Sequence, residues 1–251
     1  MVNATVTQTL RNQHEVYHGQ KIAENAEDIW GWEKPTGPHR LERRTGYLIE
    51  RGDLTPEKLV LEIGCGTGVI TTYLDRSGSR ITGIDISEDL LSQAEAKSWS
   101  DRVDFQMGNA EHLHFEDETF DSIVGSSVLH HLDIEKSLAE IRRVLKPGGR
   151  MAFSEPNMIN PHIFLQKHIP WFKKLAGDSP DETAFVRWQF ANALRQAGFK
   201  DVQTLPYDFL HPLVPRPLIG AVAGLGSVIE RIPGLREIAG SLIVSARKPQ
   251  T

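Results

Sequence analysis

The first 55 residues are polar and carry helical spacing only in pieces. A mixed stretch covers 16–30, Lys34-Pro35-Thr36-Gly37-Pro38 is a turn by composition, and helical spacing resumes over 40–51. Past Gly52 and Pro56 the rhythm changes. Leu59-Val60-Leu61-Glu62-Ile63 is a short apolar run closed by glycines, the pattern of a buried strand. A helix over 67–77, a strand over 80–86 and a helix over 88–99 follow, then strands over 103–107 and 120–126. Helical spacing over 134–145 stops at Lys146-Pro147-Gly148-Gly149, and 150–154 reads as a fifth strand. A helix over 183–197 and strands near 201–206 and 241–247 complete the pattern.

Strands alternating with helices predict an α/β protein whose parallel sheet is covered on both faces. The chain divides into an N-terminal helical segment over 1–55 and a main domain over 56–251, interrupted at 158–182 and 207–240. Both interruptions exceed the usual connection of about 4–6 residues, and such lengths are used for lids and binding segments.

Composition narrows the function classes. In 251 residues, Lys and Arg number 28 and Asp and Glu 33, a net charge of −5. That balance argues against a general nucleic-acid binder, whose phosphate contacts need a cationic surface. Cys65 is the sole cysteine, so neither an internal disulfide nor a thiolate zinc cluster can form. The ten histidines show no ligand spacing with carboxylates, and no metal is expected. The polar N-terminus and the lack of an apolar run of about 18–20 residues point to the cytoplasm.

The sharpest signal is Glu62-Ile63-Gly64-Cys65-Gly66-Thr67-Gly68, where a strand gives way to a helix. Glycines there permit a tight turn and close approach of backbone to a ligand. A dinucleotide fingerprint would want its third glycine one residue later, where Val69 stands. Asp85 ends the second strand, and a carboxylate there can accept both hydroxyls of a ribose or cap the helix that follows.

These residues resemble the first motif of class I methyltransferases that use S-adenosylmethionine, and Asp85 matches their ribose-binding acid. Gly108-Asn109-Ala110-Glu111-His112-Leu113 resembles the segment that cradles adenine, with Asn109 where the family usually has Asp. Residues 120–132 resemble the fourth strand and its loop, and Leu145-Lys146-Pro147-Gly148-Gly149 the turn before the fifth. The resemblance implies a seven-stranded, mostly parallel Rossmann-like doubly wound sheet with the last strand antiparallel, plus helical lid insertions. It implies S-adenosylmethionine as cofactor, held by Glu62, Gly64, Cys65, Gly66, Thr67, Gly68, Asp85, Ile86, Asn109, Ala110, Glu111 and Ser126.

Methyl transfer from a sulfonium needs alignment first, and a base when the acceptor must lose a proton. His130 and His131 just beyond the fourth strand, and Glu155 with Asn157 past the fifth, are the candidate catalytic groups. His18, His39 and Tyr17 belong to the segment that folds over the cofactor in this family and read as packing or surface residues. The stretch 217–229 carries no charge, and 163–175 mixes aliphatic and aromatic residues with lysines. Both suit extra core, a lid over an apolar substrate, a segment on a membrane surface, or a dimer contact. The expected function is methylation of a small, hydrophobic or lipid-like acceptor, with peripheral membrane contact and no nucleic-acid partner. The alternatives are a cofactor-binding scaffold without turnover and a nicotinamide-dependent oxidoreductase. Val69 and the lack of a Tyr-x-x-x-Lys pair speak against the second.

Overall fold

A computed structural model describes residues 2–176 and 182–250. Its first helix, α1 (Val2–Ile22), is continuous, and a short helix α2 (Ala26–Ile29) leads to α3 (Gly37–Gly52). Pro38 opens α3, where its missing N–H costs nothing, and Asp53 closes it in a left-handed conformation at φ 58°. Leu41, Thr45 and Leu48 give α3 its buried face.

Strands β1 (Leu59–Ile63), β2 (Arg80–Asp85), β3 (Val103–Met107) and β4 (Phe120–Ser126) follow, with α4 (Val69–Leu74) and α5 (Glu88–Glu95) between the first three. Next come α6 (Ile134–Val144) and β5 (Leu145–Pro156), then α7 (Pro161–His168) and α8 (Pro170–Ala176). The chain ends with α9 (Arg187–Gln196), β6 (Lys200–Tyr207), α10 (Ile219–Ile229) and β7 (Ser241–Arg247). The seven strands form one sheet in the order β3-β2-β1-β4-β5-β7-β6. β1 to β5 run parallel, and β7 is antiparallel to both β5 and β6.

Alternation along the strands sends side chains to two cores. Leu61, Ile63, Ile123 and Phe153 pack with α6 and α9 on one face. Val60, Ile81, Val124 and Ala152 pack with Leu41 and Leu48 of α3 and Ile70 and Leu74 of α4 on the other. α3 is thus a layer of the sheet's own core.

Element boundaries depart from the sequence pattern in several places: α1 is one helix over Val2–Ile22 where pieces were expected, α5 ends at Glu95 rather than 99, and three further departures have a local reason. The helix after the glycine turn starts at Val69 rather than 67 because Gly68 sits at φ 77°, outside helical geometry. The helix expected from 183 starts at Arg187 because Phe185 pairs with Asn157 as an isolated parallel bridge. β5 begins at Leu145 because the Lys146–Gly149 turn is absorbed into it, where the β4–β5 register shifts between Phe120 and Ser122. Within the 158–182 connection, residues 177–181 lie outside the described residues.

Candidate active site

The order β2-β1-β4 places the ends of β1, β2 and β4 side by side, at the edge where open parallel sheets bind ligands. A cavity of about 530 Å³ opens there. Its floor includes Gly64, Cys65, Gly66, Asp85, Ile86, Asn109, Ala110 and Ser126, and its wall includes His130 and His131. From above, Trp30 and Trp32, Ile163 of α7, and Phe209 and Leu210 after β6 enclose it.

The glycine turn is built for a backbone floor. Gly64 and Gly66 have φ of 70° and 53°, where L side chains are strained. A Cβ on Gly64 would stand 2.6 Å from Val128 Cγ2, and one on Gly66 3.0 Å from the Trp30 ring. Asp85 accepts the backbone N–H of Gly66 (2.8 Å) and of Ser87 (2.9 Å), fixing the turn while remaining partly open to the cavity. Burial pushes its carboxyl up, opposed by those N–H groups. Asn109 Oδ1 accepts the N–H of Glu111 (2.9 Å), an Asx turn that shapes the next wall.

Other predicted residues stand behind this surface. Glu62 is buried under the turn, accepts Thr71 Oγ1 at 2.6 Å, and has its carboxyl raised to about 8 by burial, with Asp85 adding to the rise. Thr67 donates to Glu27 of the N-terminal segment at 2.7 Å, and Gly68 packs on Trp99. Glu111 is buried and accepts the Asp133 N–H at 2.7 Å. Asn157 is tied to the Glu237 and Ala239 carbonyls, His18 lines the cavity, and Tyr17 and His39 are exposed.

Glu155 is buried just past β5's pairing with β4 and organises the histidines. It accepts the N–H groups of Val128 (3.2 Å) and Leu129 (3.0 Å) and Nδ1 of His130 (2.7 Å). His130 Nε2 donates to Glu182 Oε1 at 3.3 Å, and Lys167 also bonds that oxygen. Burial alone would lower His130, but these two carboxylates raise it to about 9. His131, its ring 4.2 Å from that of His130, places Nδ1 3.0 Å from Glu15 Oε2 and stays partly exposed. His130, His131 and Glu182 bring ligand atoms within 4.8 Å of one another, a grouping the linear spacing does not display. Positive charge is already supplied there by Lys167 and protonated His130.

Two arginines escaped the sequence reading. Arg40 and Arg44, one turn apart on α3, both reach the cavity and lie 5.0 and 4.9 Å over the Trp32 ring. Arg40 faces Asp208 at 3.5 Å. Arg44 is only 4% exposed, yet its partners are the hydroxyls of Ser126 (2.8 Å), Ser127 (3.2 Å) and Ser241 (3.3 Å). Its Nε has no partner, and no carboxylate among the described residues pairs with it. A buried guanidinium so placed favours an anionic ligand. The i, i+4 spacing of two arginines on an amphipathic helix was the available signal.

An open α/β sheet with a glycine turn after β1 and an acid ending β2 defines a nucleotide-cofactor enzyme class. A family profile described as a methyltransferase domain matches residues 61–153. The demethylmenaquinone methyltransferase of Lactiplantibacillus plantarum is 32% identical over 197 residues, covering 69% of this chain and 82% of that enzyme. The methyltransferase GfsG of Streptomyces halstedii is 36% identical over 120 residues, covering 45% of this chain but only 43% of that protein. In fold, the chain is similar to the Haloferax volcanii protein solved with the Trm112 methyltransferase activator, with a TM-score of 0.68 and 20% identity. That likeness covers 92% of this chain and 97% of that one. The chain belongs to the class I S-adenosylmethionine-dependent methyltransferases, and S-adenosylmethionine is its cofactor.

The residues present fit that cofactor: a backbone floor that tolerates no Cβ, a carboxylate at the end of β2, and a buried arginine lacking an anion.

Proposed function

We propose that this protein methylates a small apolar acceptor of the quinol kind, which enters beneath the lid segments. The observation that carries the reading is one continuous cavity joining Gly64, Gly66 and Asp85 to Ile163, Phe209 and Leu210. The demethylmenaquinone methyltransferase relatives support a hydroxylated ring as acceptor. When bound, S-adenosylmethionine supplies an activated methyl group on sulfur.

Asp85 would accept the ribose hydroxyls, and the wall at Asn109 and Ala110 would hold the adenine. Arg44 would receive the carboxylate of the amino-acid portion. Trp30, Trp32 and the lid would exclude water. With both ring nitrogens engaged and a proton held to about pH 9, His130 is unsuited to take another proton. Its role would be to clamp the loop after β4. His131, partly exposed on the cavity wall, would take the acceptor's proton.

The test is transfer of labelled methyl from S-adenosylmethionine to reduced, short-chain demethylmenaquinone. Label should enter the organic extract, and His131→Ala should lower turnover by about a hundredfold with little change in cofactor affinity. Intact cofactor binding without any transfer to the quinol would reject this acceptor.

A further inference from the structure

The connection between β6 and β7 leaves the cavity rim and returns to it. Phe209, Leu210, His211 and Pro212 line the cavity at its start, and Gly240 and Ser241 at its end. In between, the chain makes an apolar excursion that does not line the cavity. α10 contains no charged residue, and of its eleven residues only Ile219 and Gly226 are buried. A helix apolar on all sides normally lies in a core. Here Leu213, Leu218, Leu225, Val228, Leu235 and Ile238 are 42–75% exposed. So many bulky apolar side chains exposed on one excursion mark a contact with something apolar.

Charge identifies the kind of contact. The two acids of the excursion are consumed internally. Glu230 is held by Arg43, with one bond at 2.8 Å, and accepts the Asp208 N–H at 3.0 Å; Glu237 lies 2.7 Å from Arg187. Arg216 and Arg231, exposed at either end of α10, have no ion-pair partner among the described residues. An acidic chain of net charge −5 therefore presents an uncharged helix bracketed by two free cations and no free anion. Eleven helical residues extend about 16 Å, half of a bilayer core, so the helix can lie in a membrane interface but cannot cross it. Flanking arginines would then sit at headgroup level.

We infer that α10 and its flanks dock the protein on an anionic phospholipid surface, with the cavity mouth at the membrane. The purpose rests on the apolar-acceptor reading, since such an acceptor is dissolved in lipid, whereas the docking itself is tested without any acceptor.

The test is flotation of the full chain with phosphatidylcholine–phosphatidylglycerol vesicles and with pure phosphatidylcholine. The protein should float with the anionic vesicles. Leu225→Glu combined with Val228→Glu, at two exposed positions outside the cavity, should abolish flotation, with the circular dichroism spectrum and methyl transfer to a short-chain acceptor in solution unchanged. Arg216→Gln with Arg231→Gln should weaken binding to anionic vesicles by about tenfold or more. Failure of the parent to float, or equal flotation of the double-glutamate variant, would overturn the inference. So would a parent dimer in sedimentation equilibrium that this variant dissociates, since the occupant would then be a second copy. Loss of solution transfer with flotation intact would instead count against the proposed acceptor.

Discussion

At the scale of single residues, His130 is the most consequential departure from what its type suggests. A histidine beside a strand end invites assignment as a base, but Glu155 and Glu182 turn this one into a buried cation that ties the loop after β4 to the end of β5. Its proton affinity is raised in the folded state, from 6.5 to about 9. The folded protein therefore binds a proton more tightly than the unfolded chain. The resulting stability is complete below about pH 6.5 and is lost as pH rises through about 9. Glu62, raised from 4.5 to about 8, adds loss of the same sign over its own interval. Urea unfolding across this range should show stability falling toward alkaline pH, and Glu155→Gln should flatten the upper part of that slope. An unchanged slope in the variant would mean that Glu155 does not hold the His130 proton. None of this was legible in the chain, because residues 130, 155 and 182 meet only through the sheet and the connection that follows β5.

At the scale of elements, four strands were readable to their ends, and helix ends were not. Leu59–Ile63 announces itself by an apolar run closed by glycines, and the strand appears with those bounds. The following helix was misplaced by two residues because residue spacing does not report the left-handed φ of Gly68. That glycine is required twice over. Its φ is 77°, and a Cβ would stand 2.8 Å from Trp99 Cζ2 and 3.2 Å from Ala94 Cβ. Gly68→Ala should destabilise the fold by about 1–2 kcal/mol from the backbone alone, with the clash adding to it. Denaturant unfolding measures this. A loss below a few tenths of a kcal/mol would show that the turn relaxes freely. The Lys146–Gly149 turn misled in the opposite sense: its residues signal a break, but a bulge lets β5 run through it.

At the scale of the whole molecule, the parallel order around β1 puts the glycine turn, Asp85 and the loop after β4 along one edge, and this much followed from alternation and motif. What could not follow was the roof. Trp30, Trp32 and Arg44 come from the polar N-terminal segment, where local pattern says only that helices form in pieces. Arg44 acquires its meaning from Ser126, Ser127 and Ser241, residues up to 197 positions away. For the cofactor to bind as proposed, this edge and roof must act as a single cleft. Calorimetric titration with S-adenosylhomocysteine, of the parent and of Asp85→Ala, measures that directly. The parent should bind with one site per chain, and removal of the carboxylate should weaken binding by about 1.5–3 kcal/mol, roughly ten- to a hundredfold. Equal affinity in the two proteins would contradict the account.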